Sequence, residues 1–273
     1  MLKRLIAVCV LLTLPLSSFA ASDLRRVMTA EEAAKWTAVG RINVQGNGFC
    51  TGALISPTLV LTAAHCVYHS VSKRQVSADR LHFLAGWRLG KAAAHRRVRR
   101  VMVHRDYVYT DSPGPEQVIS DIAVLELTEP IGPDIAVPFD RVNRPRPGDN
   151  IAIVSYARGR AEAPSIQTPC RTLDVQGKMV IMDCDVTFGA SGSPVFLVQN
   201  GRPKIASVVS VMQEWRGTRR SIGMALDDGM LQSVLQDIVS GDAIRKIRRP
   251  GGSIADQLGR SNLGRQLSQP SDR

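Results

Sequence analysis

From about residue 40 onward the apolar residues fall in short runs, each closed by Gly, Pro, Asn or Ser. Runs at 41–44, 52–55, 59–62, 81–85, 98–103 and 122–127 are rich in Val, Ile and Leu. Short runs of that composition predict β-strands, and many of them with turn signals between predict a barrel or a sandwich. Residues 128–149 then hold five prolines and two glycines, which reads as a connector between two halves. Strand-like runs resume at 151–156, 172–183, 195–199 and 205–211. Asn200-Gly201 separates the last two and suits a tight hairpin, since both residues tolerate positive φ. Helical spacing is confined to two places. Thr29 is a candidate N-cap for a short helix over 29–36, with Glu31 and Glu32 in its first turn. Over 228–239, Met230, Leu231, Val234, Leu235 and Ile238 form one apolar stripe. From 241 to 273 the chain is rich in Arg, Gly, Ser and Gln and has little to bury, which predicts a disordered tail.

The start of the chain changes the picture. Lys3 and Arg4 precede an almost wholly apolar stretch over 5–16, and Ser18-Phe19-Ala20 places small residues two apart, so residues 1–20 read as a cleaved export signal. The apolar stretch is well short of the ~20 residues that span a bilayer, so no transmembrane anchor is expected. The expected compartment is secreted or periplasmic. Cys9 leaves with the signal, and Cys50, Cys66, Cys170 and Cys184 remain, an even number that suits disulfides in an exported chain. Four cysteines permit three pairings. Cys50–Cys66 and Cys170–Cys184 is favoured because each pair flanks an expected hairpin, with Gly177 seven residues from both Cys170 and Cys184. The competing reading, a zinc site, lacks tight two-residue ligand spacing, and no metal or cofactor is expected. The formal charge of +11 falls to +9 without Lys3 and Arg4. Such a surface attracts anionic polymers or headgroups, but no basic segment is interleaved with aromatics, so no specific nucleic-acid partner is expected. A monomer acting on protein or peptide substrates is the expected assembly.

Three segments carry candidate chemistry: Leu59-Val-Leu-Thr-Ala-Ala-His65-Cys66, Ser120-Asp121-Ile-Ala-Val-Leu-Glu-Leu127, and Phe188-Gly189-Ala190-Ser191-Gly192-Ser193-Pro194. Singly, each has a bland reading: a structural histidine, a turn aspartate, a loop glycine-serine. Their order on an exported, four-cysteine, strand-rich chain is what gives them meaning. A serine hydroxyl attacks well only when a base takes its proton, and imidazole titrates in the useful range. A buried carboxylate fixes the imidazole tautomer, and glycines beside the serine let backbone N–H groups converge on a developing oxyanion.

These segments resemble the signatures T-A-A-H-C, D-I-A-L-x-L and G-D-S-G-G-P of the trypsin/chymotrypsin serine peptidase family. The third, as G-x-S-G-S-P, is most similar to the bacterial glutamyl-endopeptidase-like branch. The resemblance covers roughly 39–226. It implies an all-β fold of two antiparallel barrels with a C-terminal helix. His65 and Asp121 would lie in an N-terminal barrel (21–135), and Ser191 in a C-terminal barrel with its helix (136–240). It further implies His65 as general base, Asp121 as orienting acid, Ser191 as nucleophile, and the N–H groups of Gly189 and Ser191 as oxyanion hole. Ser210 resembles the serine that supports the buried aspartate and begins the substrate-pairing strand. Cys50–Cys66 matches the family's disulfide beside the histidine.

Two departures matter. Ala190 stands where the family has an aspartate that receives a new N-terminal ammonium after cleavage. The Arg26–Val27 step resembles such a cleavage site, but Ala190 cannot form the ion pair, which implies a different activation route. Asp185 lies six residues before Ser191, the offset of the specificity-pocket aspartate in trypsin-like enzymes. Buried there it needs a cation, which implies cleavage after Arg or Lys; internal pairing with an arginine is the other reading. Met212, in Val211-Met212 where the family has Trp-Gly, would narrow that pocket. The functional alternative is a catalytically silent binding protein on the same scaffold.

Overall fold

The structure, a computed structural model, describes residues 24–27, 29–45, 48–142, 144–227, 229 and 231–235. Residues 1–20, read as an export signal, and residues 241–273, expected to be a disordered tail, lie outside the described residues. Six strands close the first barrel in the order β2-β3-β4-β7-β6-β5. They are β2 (Val39–Val44), β3 (Gly48–Ser56), β4 (Leu59–Thr62), β5 (Leu81–Ala85), β6 (Ala94–Val103) and β7 (Ala123–Leu127), all antiparallel. The second barrel uses β8 (Asn150–Ala157), β9 (Arg160–Gln176), β10 (Met179–Met182), β11 (Pro194–Gln199), β12 (Arg202–Trp215) and β13 (Thr218–Ala225). Its order is β9-β10-β13-β12-β11-β8, and β8 pairs back onto β9 to close the ring. The all-β, two-barrel architecture is therefore as expected.

Burial explains the strands. The apolar side chains of Ile42, Leu54, Leu61, Leu81, Phe83 and Leu125 are buried in one core. Val180, Met182, Val195 and Val209 are buried in the other. The first core continues across the junction through Tyr156, Ile166, Phe196 and Val208. There Trp36, Phe139 and Phe196 pack with ring centroids 4.7–6.2 Å apart. Helix α1 (Ala30–Ala34) leads into this packing, and Thr29 caps it by accepting the Glu32 N–H at 3.1 Å. Of the C-terminal helix, Gly229 and residues 231–235 are described as helical, with Leu231 and Val234 buried on the body.

The turns follow their residues: Asn200 and Gly201 have φ of 52° and 74°, and Gly177 turns β9 into β10 with φ 60°. That hairpin brings Cys170 and Cys184 together with Cα atoms 5.2 Å apart, and Cys50–Cys66 joins at 6.0 Å. Each cross-link closes a loop of about 15 residues, worth ~3 kcal/mol in the chain-entropy picture. Two strands were not legible. The first part of β9 carries Pro164 and Pro169, which demote a strand reading, and β13 contains Arg219, Arg220 and Gly223 with no clean alternation. A two-residue strand, β1 (Arg25–Arg26), pairs with Ile166 and Ser165 of β9. The start of the described chain thus pairs with a strand of the second barrel.

Candidate active site

His65 sits in a 3-10 turn (Ala64–Val67) directly after β4. The neighbouring Cys66, cross-linked to Cys50 of β3, pins that turn to the barrel. Asp121 closes a six-residue helix, α2 (Pro115–Ser120), just before β7. With a proline at its start and one turn of length, α2 gives no periodic signal in the sequence. Asp121 is only 4 % exposed, so its oxygens need partners. Oδ2 meets His65 Nδ1 at 2.7 Å and accepts from Ser210 Oγ at 2.5 Å, and Oδ1 accepts from the His65 backbone N–H at 2.8 Å.

The electrostatics follow from this geometry. Burial alone would lift the Asp121 carboxyl, but the His65 charge and the His65 and Ser210 hydrogen bonds hold it below the usual carboxylate range. Burial works to lower the His65 imidazole; the Asp121 charge and hydrogen bond outweigh it and hold the imidazole above its ordinary value. With its proton on Nδ1 toward Asp121, neutral His65 keeps the Nε2 lone pair available as a base.

Ser191 is placed by backbone geometry. Gly189 and Gly192 adopt φ of 94° and 78°, the left-handed region that side chains disfavour. A Cβ on Gly189 would stand 2.4 Å from Phe49 Cε2, and one on Gly192 would stand 2.1 Å from Thr62 Oγ1 and 2.3 Å from the Thr51 carbonyl oxygen. Between them the Ala190 N–H donates to Thr187 O at 2.9 Å, the Ser193 N–H to Ala190 O at 3.0 Å and the Gly192 N–H to Val209 O at 2.8 Å. Among the described residues, the N–H groups of Gly189 and Ser191 have no protein acceptor. Two such donors with one residue between them suit a developing oxyanion.

His65, Asp121, Gly189 and Ser191 all line one cleft of about 1030 Å³. No hydrogen bond joins Ser191 Oγ to His65 among the described residues; such contacts are often long before substrate binds. The sulfur of Cys66 lies 3.8 Å from His65 Nε2. Cys50, Cys66 and His65 come close enough to suggest a metal cluster, but both sulfurs are committed to the disulfide and are not thiolate ligands.

Ser210 and Met212 line the cleft beside β13, with Met212 half-buried opposite Ser221. Asp185 also lines it, but the expectation of a buried carboxylate is corrected: Asp185 is exposed. It lies past the end of β10, in chain without regular structure, between buried Cys184 and Val186. Its N–H donates to Gln167 Oε1 at 2.6 Å, and its charge acts on the half-buried Arg160 guanidinium. Sequence reasoning passed over Arg219 and Ser221, which line the same end. It also passed over Thr51, which is fully buried and hydrogen-bonded to the Ser191 turn.

The Arg26–Val27 step lies in extended chain. Val27 is buried in the first core and donates its N–H to Pro164 O at 2.9 Å. Ala190 is buried in the second core and offers no carboxylate.

Comparison with known proteins bears on the fold and the family. Mannan-binding lectin serine protease 1 of Rattus norvegicus is 27% identical over 171 residues, 56% of this chain and 23% of that protein. Kallikrein 1-related peptidase b24 of Mus musculus is 33% identical over 85 residues, 30% of this chain and 31% of that protein. The matched region thus spans between about a quarter and a third of the length of these curated relatives. Among solved structures, a Glu endopeptidase superposes with a TM-score of 0.64 at 21% identity, covering 81% of this chain and 98% of that one. A scabies mite inactivated protease paralogue gives 0.60 at 15% identity, covering 77% of this chain and 94% of that one. These likenesses establish the fold, which active and inactivated proteins evidently share. The family model described as Trypsin matches residues 27–227, nearly the whole described chain, and on that match the chain belongs to the trypsin family.

Proposed function

We propose that this protein is an exported serine endopeptidase acting through His65, Asp121 and Ser191. The observation that carries the proposal is the doubly held His65–Asp121 pair opening onto the same cleft as Ser191. In the first step Ser191 Oγ attacks the substrate carbonyl carbon while its proton passes to His65 Nε2, and the oxyanion is held by the Gly189 and Ser191 N–H groups. The carbon–nitrogen bond then breaks, the leaving amine takes the proton from His65, and an acyl ester remains on Ser191. Water repeats the sequence: its proton goes to His65, its oxygen to the acyl carbon, and the proton returns to Ser191. A silent binding role is not favoured, because no member of this set is missing from the chain.

The export signal and the two disulfides support a secreted or periplasmic setting, and no described helix is long and apolar enough to cross a membrane. Cleavage after Arg or Lys is the finer part of the proposal. It rests on Asp185 lining the cleft and no longer on an unpaired buried charge.

A fluorophosphonate probe, which reacts with activated serines, tests the core reading. It should label the wild type at Ser191 alone, and Ser191→Ala should lower peptide turnover by about 10⁶. Labelling elsewhere, or undiminished hydrolysis by the variant, would refute the assignment. For the finer part, Arg-, Glu- and Phe-terminated amide substrates are compared with wild type and Asp185→Ser. A preference for Arg that collapses in the variant supports it, and a preference for Glu or Phe ends it.

A further inference from the structure

In a trans peptide the C=O and the next N–H point opposite ways, so holding one aims the other. Three carbonyls of the Ser191 turn are held from outside it; Ala190 O is held within it by the Ser193 N–H. Phe188 O accepts the Arg158 N–H at 2.7 Å, which fixes the plane that carries the Gly189 N–H. Gly189 O accepts from Thr51 Oγ1 at 2.9 Å, and Ser191 O accepts the Thr51 N–H at 2.9 Å. Thr51 lies on β3 of the first barrel beside Cys50, 138 residues from Gly189. Its hydroxyl is locked in turn: it receives the Tyr156 N–H at 3.0 Å and faces Tyr156 O at 3.2 Å, while its carbonyl takes the Thr62 hydroxyl at 2.9 Å. One buried threonine therefore ties the turn after Phe188 to β3, β4 and β8.

We propose that Thr51 is a positioning residue: it holds the carbonyls at 189 and 191, whose peptide planes flank the one that carries the Ser191 N–H, while the Arg158 N–H holds Phe188 O and so aims the Gly189 N–H, and the oxyanion donors stand ready without an N-terminal ammonium. This gives Ala190 its explanation. Where a buried ion pair would otherwise order the turn, cross-barrel hydrogen bonds do so, and cleavage at Arg26–Val27 is not required for the site to form. The inference rests on the peptidase reading above and deepens it.

The test removes the clamp in two independent ways. Thr51→Val deletes the hydroxyl but keeps the branched shape and the N–H, and Thr51→Ser keeps the hydroxyl. Arg158→Pro deletes the N–H in an exposed tight turn, and Arg158→Ala, which loses the guanidinium over Phe188 but keeps the N–H, is its control. Arg158 takes the first central position and Gly159, with φ 80°, the second, and proline suits that first position. Each variant is assayed on one peptide amide for kcat and KM, and with a peptide aldehyde whose adduct carries the oxyanion. Thr51→Val and Arg158→Pro should each lower kcat by about 10- to 100-fold with KM little changed, approaching the loss of one oxyanion donor. Aldehyde affinity should fall in parallel, and Thr51→Ser should restore both. If Thr51→Val does not fold, Arg158→Pro against Arg158→Ala decides. Unchanged kcat in a folded variant, a loss carried by KM alone, or an equal loss in Thr51→Ser would overturn the inference while wild-type turnover and Ser191 labelling leave the peptidase reading intact. Absence of wild-type turnover would instead overturn both.

Discussion

The two barrels hold their contributions to the site by different means. His65 and Asp121 of the first are held through one side-chain group: three hydrogen bonds converge on the buried Asp121 carboxylate, two from His65 itself and one from Ser210 of the second barrel. The second holds Ser191 through the main chain: two glycines in left-handed conformations and a set of carbonyls bonded outside the turn. The difference teaches where each half is vulnerable. A side-chain arrangement fails when a functional group is changed. A backbone arrangement fails when a Cβ or a missing N–H alters the path of the chain, whatever chemistry that residue has.

The largest effect expected from breaking the first half is that of Asp121→Asn. The amide cannot hold the imidazole as the carboxylate does, and kcat should fall by roughly 10⁴, the size known for this change in the trypsin family. The pH profile sharpens the point. His65 must be neutral to accept a proton, and its imidazole is held above the ordinary value, about 6.5. The acid limb of kcat/KM should therefore lie above that pH, with activity lost as pH falls through it. In the variant the cause of the raise is gone, so the limb should move down. A limb that stays in place would break the link between Asp121 and the base.

For the second half the matching change is Gly192→Ala, which adds one methyl group and no chemistry. It meets a backbone oxygen and must adopt a positive φ. A loss of about 3 kcal/mol is expected, which for a domain of this size lowers Tm by roughly 6–12 °C. Fluorophosphonate labelling of the folded fraction should fall with it. An unaltered melting curve would show that the turn yields more readily than the close contacts imply.

The smallest expected effect is none. Acetylating or extending a mature terminus at Val27 should leave kcat/KM unchanged, since Ala190 receives no ammonium. Strict dependence on a free Val27 amine would mean that another carboxylate takes it.

Much of this was legible in advance, for identifiable reasons. Short apolar runs marked most strands, and Gly177 and Asn200-Gly201 marked two hairpins. His65, Asp121 and Ser191 stand in segments whose composition reflects local geometry. Thr51 did not show itself, because its role depends on acceptors far away in the chain and a threonine on a strand is unremarkable. The burial of Asp185 was misjudged because an offset from Ser191 gives a place along the segment, whereas exposure is set by how the irregular chain after β10 packs, with Cys184 and Val186 inside and Asp185 out. The β9 strand was hidden by prolines that its long, irregular pairing with β8 accommodates.

The apolar cluster that runs from Val39 and Phe83 through Phe196 and Val208 to Leu231 has a dynamic consequence. Parting the barrels would expose a continuous dry interior to water, so hinge-like opening of the cleft is strongly disfavoured. Entry and exit must then depend on excursions of the rim, such as the exposed Phe188 ring under the Arg158 guanidinium, while the two halves move as one body.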